Sequence, residues 1–375
     1  MSEQKLANMP ARKIPFNDLS VQWRQIAASV RDDFEATFEQ SAFCLGPFVE
    51  TFEAEIAQHL GVRHAVGLNS GTSALHLAVL AAGLGPGDEV IVPAHSFIAT
   101  LWGILYAGAT PVFCDVEPET GTLDVTAAER YITPAVKAII PVHLYGQSAD
   151  MGPITTLAER HGLTVIEDAA QSIGATWQGR HLGTIGRMGC YSFYPGKNLG
   201  AAGEAGLLVT NDDDLAARIR SLRNHGQSER YIHQVVGYNY RMDGLQGAVL
   251  RRKLPLLTSW TASRRELAAR YGERLAGTTL TLPSVRHGEH VWHLYVVRTP
   301  DRDRLKADLA KRGIETGLHY PVPLHKQPCL SHLPTAQLSF PSAEQWAAQC
   351  LSLPLFTGMT VDDVDYVADA VRACC

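Results

Sequence analysis

Ala65-Val66-Gly67-Leu68-Asn69, then DEVIVP (88–93), TPVFCDV (110–116), VKAIIPVH (136–143), LTVIEDA (163–169) and GLLVT (206–210): these six short runs recur between helix-length stretches and Gly-rich turns. Runs of this length, rich in Val and Ile and alternating with helical patterns, predict a mostly parallel sheet with helices on both faces. Upstream lie two helical patterns, VQWRQIAASVRDDFEATFEQ (21–40) and FVETFEAEIAQHLG (48–61), separated by the turn signal CLGP. Past Gly244 a long helical pattern runs through LQGAVLRRKLPLLTSWTASRRELAARYGERL (245–275). Strand-like HLYVVRT (293–299), helical DRLKADLAKRG (303–313) and VDDVDYVADAVRACC (361–375) then suggest a smaller α+β unit. The expected division is a large domain over 1–250, with an N-terminal helical segment at 15–60, and a small C-terminal domain over 251–375.

The chain has 375 residues, 46% of them hydrophobic and 19% charged, the balance of an ordinary globular protein. Its formal net charge is −5, with basic and acidic residues intermixed, so no basic face announces a nucleic acid. MSEQKLANMPARK at the start lacks the apolar run of a signal peptide, and no window approaches the ~18 apolar residues of a membrane span. Seven cysteines without CxxC spacing, in a chain of this size, fit a reducing cytoplasm.

In such sheets ligands bind outside the carboxyl ends of the strands. There Asn69-Ser70-Gly71-Thr72-Ser73 joins a strand to a helix, offering backbone N–H groups, a positive helix end and hydroxyls to an anion. Helix capping by Ser70 or Thr72 is the plainer reading of the same residues. Asp168, ending LTVIED, is a carboxylate that either faces solvent or holds a protonated ring nitrogen, with Gln171 one turn later. Ser192-Phe193-Tyr194-Pro195-Gly196-Lys197-Asn198-Leu199-Gly200 is not a nucleotide-binding P-loop: six residues, not four, separate Gly189 from Gly196, and Asn198 stands where Ser or Thr is required. A lysine among small and apolar residues does not read as an exposed charge, and forming a Schiff base is one use of a buried amine. An anion cradle, a ring-nitrogen partner and an amine nucleophile together describe pyridoxal phosphate.

With these residues in view the chain strongly resembles the DegT/DnrJ/EryC1/StrS family of sugar aminotransferases. The resemblance runs from Ile14-Pro15-Phe16-Asn17-Asp18 to LSLPLF (351–356), through Gly71–Leu75, Pro93-Ala94-His95-Ser96-Phe97, Pro141–Gly146, Glu167-Asp168-Ala169-Ala170-Gln171, the Lys197 segment and Gly237-Tyr238-Asn239-Tyr240-Arg241-Met242. It implies the type I, aspartate aminotransferase-like fold of pyridoxal-phosphate enzymes. It further implies Lys197 as the Schiff-base lysine, Asp168 as the pyridinium partner and Phe97 as the aromatic stacked on the ring. Gly71, Thr72 and Ser192 match phosphate contacts, and Gln171 the residue beside the ring hydroxyl. Asn239 matches an asparagine that reaches the phosphate from a neighbouring subunit, which implies a homodimer with a shared site. His319, Tyr320 and His325 fall in the stretch near the sugar and amino donor.

The implied activity moves an amino group from an amino acid, glutamate first, to a dTDP- or GDP-linked keto-sugar by a ping-pong route, as in deoxyamino sugar biosynthesis. A keto-cyclitol or UDP-linked keto-sugar is the alternative, and a non-catalytic regulator retaining the fold is the alternative from another class. Relatives that dehydrate sugars carry histidine at the lysine position, so Lys197 favours transamination. The chain departs from many relatives in having Ala205 where they have a second glycine. His287, His290 and His293 recur every three residues, but His293 opens a strand-like run, so the three diverge and no metal is expected.

Overall fold

The six runs and one further segment form a single seven-stranded sheet in the computed structural model, which describes residues 12–375. The strands are β1 (His64–Leu68), β2 (Glu89–Pro93), β3 (Thr110–Cys114), β4 (Val136–Ile139), β5 (Thr164–Asp168), β6 (Met188–Ser192) and β7 (Gly206–Thr210). Their spatial order is β1-β7-β6-β5-β4-β2-β3. Only β7 runs antiparallel to its neighbours, β1 and β6; the pairs from β6 through β5, β4 and β2 to β3 are parallel. The mostly parallel α/β sheet is the fold observed.

β6 is the strand that composition hid. Met188-Gly189-Cys190-Tyr191-Ser192 contains no β-branched residue, yet it lies between β5 and β7. Close packing explains its small residues: a Cβ on Gly189 would stand 1.9 Å from the Gly183 carbonyl oxygen. The Tyr191 hydroxyl donates to the Leu182 carbonyl at 2.5 Å, closing the same crossing. Strand propensity is largely a packing preference, and here the packing asks for glycine.

Helices α1 (Ser20–Glu39) and α2 (Pro47–Leu60) match the first two patterns, and α2 stops at Gly61 in the left-handed region (φ 68). α3 (Gly71–Ala81) is apolar on nearly all sides because it is covered by the sheet on one side and by α4 (Ala99–Tyr106) on another. The contact is tight: a Cβ on Gly103 of α4 would lie 2.8 Å from the Leu75 backbone. The long pattern past Gly244 is broken. A helix over Gly244–Lys253 passes through a 3-10 turn at Leu254–Leu256 before resuming over Leu257–Leu275. Pro255 lacks an N–H and cannot continue the ladder.

A second core gathers Leu267, Tyr271, Leu275, Leu309, Val364, Val367 and Val371 around the antiparallel pair Tyr295–Arg298 and Cys350–Leu353. The start of the chain belongs to it. Ile14 is 3% exposed in this core, its N–H donates to the Gly313 carbonyl at 2.9 Å, and its carbonyl accepts from Glu315 N–H. Burying such a side chain contributes roughly 1.5–3 kcal/mol, so residues near 14 stabilise the C-terminal unit, not the sheet domain. Conversely Leu324, Phe340 and Trp346 join the core under the large sheet. A cut at 250/251 falls inside the helix Gly244–Lys253. The polar stretch at the chain start lies, through residue 11, outside the described residues. No described helix is long and apolar enough to cross a membrane.

Candidate active site

A cavity of about 800 Å³ opens at the carboxyl ends of β1, β2, β5 and β6, walled on the far side by residues from 264, 293–294, 319–320 and 355. Its near wall is built from the ends of these strands and the turns that follow them.

At the end of β1 the two readings of the Ser-Gly-Thr turn separate onto different residues. Ser70 is the helix cap, its Oγ accepting from the Ser73 N–H at 3.0 Å. Gly71 and Thr72, the first residues of α3, are left facing the cavity at the positive end of the helix. Two glycines make this turn possible. A Cβ on Gly71 would lie 2.8 Å from Ser192 Cβ, and one on Gly206 would lie 2.2 Å from the Ser70 carbonyl group. Ala205, the departure noted in sequence, is fully buried in the adjoining core and does not line the cavity; the tight position is Gly206.

Glu167 and Asp168, adjacent on β5, point to opposite faces. Glu167 is fully buried and saturated, accepting from the N–H groups of Gly183, Ile185 and Gly186. It also meets His143 Nε2 at 2.9 Å; because Ala149 N–H donates to His143 Nδ1, the proton of a neutral ring sits on Nε2 and is given to Glu167. Asp168 lines the cavity, 5% exposed, accepting from the Thr100 hydroxyl at 2.8 Å and the Ala170 N–H at 3.1 Å. Burial raises its pKa, against those two hydrogen bonds and the charge of Lys197. It is a buried acid with no ion-pair partner among the described residues.

Lys197 follows β6 in a turn closed by its N–H donating to the Tyr194 carbonyl at 2.8 Å. Burial holds its amine down to about 8, Asp168 pulling the other way. The loop is pinned from behind by Lys253, which donates to the Gly200 carbonyl at 2.7 Å and to Gln22 Oε1 at 3.0 Å. Ser192, under Gly71, accepts from the Tyr194 N–H at 3.3 Å. Phe97 is 50% exposed in the cavity wall, 5.4 Å from Tyr320. Gln171 also lines the cavity, with its amide engaged by the Tyr145 N–H at 2.6 Å and the Tyr320 hydroxyl at 2.9 Å.

His319 and Tyr320 lie in the cavity as expected. His319 is hydrogen-bonded to Ser352 Oγ at 2.8 Å, and burial next to Lys197 pushes its pKa down to about 4. His325 does not belong with them. It is 1% exposed, packed against Phe340 at 4.8 Å and paired with Glu344 at 3.1 Å, so the expectation of substrate contact is corrected: it is a core histidine. Asn239 is exposed and absent from the cavity wall of its own chain. Of the spaced histidines, His287 sits with Glu117 (3.2 Å) and Asp150 (3.7 Å), His290 stacks on Trp292 at 4.0 Å, and His293 lines the cavity.

Two cavity residues escaped the sequence reading. His293 donates from Nδ1 to Asn198 Oδ1 at 3.2 Å, an orientation set by Asn198 Nδ2 donating to the Val291 carbonyl. Burial drives its pKa well below the ordinary value, with the charges of Lys197 and Arg264 adding to this. Arg264 comes from the middle of the helix Leu257–Leu275, where sequence offers nothing to separate it from a solvated arginine.

The chain belongs to the DegT/DnrJ/EryC1/StrS aminotransferase family, whose model matches residues 24–372. It is 44% identical over 362 residues to a pleiotropic regulatory protein of Geobacillus stearothermophilus, covering 96% of this chain and 97% of the relative. It is equally 44% identical over 362 residues to dTDP-3-amino-3,4,6-trideoxy-alpha-D-glucose transaminase of Streptomyces venezuelae, covering 96% of each. The crystal structure of S. venezuelae DesV in complex with a ketimine intermediate superposes with a TM-score of 0.94 at 44% identity, over 96% of this chain and 98% of that one. The aminotransferase fold and the family's pyridoxal-phosphate dependence follow from this membership.

Proposed function

We propose that this cavity performs amino transfer from an amino acid, glutamate first, to a nucleotide-linked keto-sugar. One observation carries the reading: the depressed amine of Lys197 and the unpaired buried carboxylate of Asp168 share a cavity with an open helix N-terminus. The residues present fit pyridoxal phosphate. Gly71 and Thr72 at the start of α3, with Ser192, would hold its phosphate; Asp168 would face its ring nitrogen; Phe97 offers a half-exposed aromatic face to the ring; Gln171 lies beside it. The lone negative charge of Asp168 is what a protonated ring nitrogen would neutralise.

When bound, the cofactor supplies an electron sink that makes the donor's α-proton removable. The chain's own contribution is proton handling and exclusion of water. Lys197, uncharged once pH passes about 8, accepts the proton from the donor's Cα. His293 and His319, both kept neutral by burial, flank it without adding charge. Asn239, exposed beyond its own cavity, is available to a second copy, and a homodimer with a shared site is part of this reading; so are a cytoplasmic setting, with seven free cysteines, and a sheet domain followed by a smaller C-terminal one.

The test loads the protein with pyridoxal phosphate and glutamate and offers dTDP-, GDP- and UDP-linked keto-sugars in turn, measuring 2-oxoglutarate release. Turnover with one of them is expected. The name of the Geobacillus relative gives weight to a second reading, a regulator that keeps the fold. Cofactor binding with no turnover on any sugar or cyclitol ketone favours it.

A further inference from the structure

Three basic residues end the helix Gly244–Lys253, and two of them pair with acids, Arg251 with Glu55 and Arg252 with Asp33. Lys253 turns inward instead. It is 7% exposed, and among the described residues its Nζ donates only to uncharged oxygens, the Gly200 carbonyl at 2.7 Å and Gln22 Oε1 at 3.0 Å. Burial lowers its pKa to about 8, and no acid opposes the shift. A buried amine without a counter-ion is costly to keep, so a pin made for stability alone would not call for one.

What it holds is the loop that carries Lys197. That loop folds back on itself: the Lys197 N–H donates to the Tyr194 carbonyl and the Ala201 N–H to the Phe193 carbonyl, both at 2.8 Å, and a Cβ on Gly200 would stand 2.2 Å from the Pro195 carbonyl oxygen. Among the described residues, hydrogen bonds tie residues 194–200 to distant parts of the chain at two points. Asn198 is held by Val291 and His293, and Gly200 by Lys253. The second tie continues into the C-terminal part of the chain, since Gln22 Nε2 donates to Thr357 Oγ1 at 3.4 Å, two residues past Leu355 in the cavity wall. We infer that Lys253 is a positioning residue for Lys197: its bond to Gly200 holds the loop closed, so that the Lys197 amine stays buried in the cavity wall. The inference rests on the reading of Lys197 as the amine that takes the cofactor. A neutral lysine amine keeps two N–H donors, so the tie outlasts the proton of Lys253.

The test has two readouts. Unloaded protein is mixed with pyridoxal phosphate across a range of pH to find the midpoint of the capture rate, and loaded protein is mixed with glutamate to find the limiting rate and half-saturating concentration of the donor half-reaction. In Lys253→Met the loop is free to open and the Lys197 amine to meet water, so the capture midpoint should rise from near 8 by about one unit or more. The groups that act on the Lys197 charge, Asp168 and the neutral His293 and His319, are left in place. The limiting half-reaction rate should fall about 10-fold or more, with half-saturating glutamate within about threefold. Arg252→Met, which frees the same helix end from Asp33, should lower the melting temperature and leave both readouts unchanged. A midpoint that stays near 8 in Lys253→Met, or one that rises as far in Arg252→Met, overturns the assignment. Lys253→Gln, polar but one bond too short to reach Gly200, carries the same expectation and decides the matter if Lys253→Met does not fold. If glutamate leaves the parent protein unchanged, the amino-transfer reading fails, while the capture midpoints still decide what Lys253 does.

Discussion

Replacing Gly206 by alanine puts one methyl group against the floor of the proposed phosphate cradle. The new Cβ would stand 2.2 Å from both the carbonyl carbon and the oxygen of Ser70 and 2.6 Å from the Gly71 nitrogen, where ordinary contact begins at 3.4 Å. These are backbone atoms, and Gly206 is itself fixed in β7 opposite Leu68 and Ser192. The turn must therefore retreat by about an ångström or the strand must bend. Overpacking of this kind costs about 1–3 kcal/mol of stability. A shift of that size also misaligns the Gly71 and Thr72 N–H groups, and losing one hydrogen bond to a charged oxygen, about 1.5–3 kcal/mol, lowers affinity about 10- to 150-fold. The assay is an absorbance titration of unloaded protein with pyridoxal phosphate and, in parallel, with pyridoxal. Gly206→Ala should weaken the phosphorylated compound selectively. An unchanged ratio between the two would refute the cradle assignment, whatever happens to the melting temperature.

Other changes separate the site from its scaffold. Asp168→Asn should cut turnover about 10- to 150-fold, yet the unloaded variant should melt no lower than the parent near neutral pH. The sign follows from the raised folded-state pKa: the native carboxyl binds more protons than the unfolded one just above the ordinary carboxylate range, so keeping it ionised destabilises the fold as pH rises through that window. A lower melting point for Asp168→Asn would contradict this. Capture of pyridoxal phosphate by unloaded protein should speed up with pH to a plateau with a midpoint near 8, where the Lys197 amine loses its proton; a rate still climbing above pH 10 would mean an ordinary lysine. His325→Leu should cost about 1–3 kcal/mol of stability through the lost Glu344 partner and leave kinetic constants within about twofold, as judged by melting and steady-state rates. A raised KM without a stability change would restore it to the substrate site.

How far the chain could be read depends on what each residue's neighbours are. β1 to β5 and β7 were legible because runs of Val and Ile report burial directly; Gly71 and Asp168 were legible because they stand at the ends of β1 and β5, and Lys197, which follows the hidden β6, because of its small and apolar neighbours. β6 was not, since its Gly189 reflects the close crossing of the Gly183 backbone, a packing contact that the alternation of apolar residues does not report. The break at Pro255 was readable in principle from the missing N–H. His325 and His293 show the opposite error in pairs. One histidine, in a promising stretch, is sealed between Phe113 and Phe340; the other, set aside with a failed metal pattern, faces Lys197. Arg264 reads as one more helical arginine until the carbonyls of 292, 293 and 355 converge on it.

The central claim, that Lys197 and Asp168 with the Ser-Gly-Thr turn form an amino-transfer site, is tested most directly by a single half-reaction. Protein loaded with pyridoxal phosphate is mixed with glutamate and no acceptor, following the visible band and 2-oxoglutarate. The account predicts loss of the band with one 2-oxoglutarate formed per site, and neither event in Lys197→Ala. An unaltered band in the parent protein, or 2-oxoglutarate formed by Lys197→Ala at the parent's rate, would contradict it.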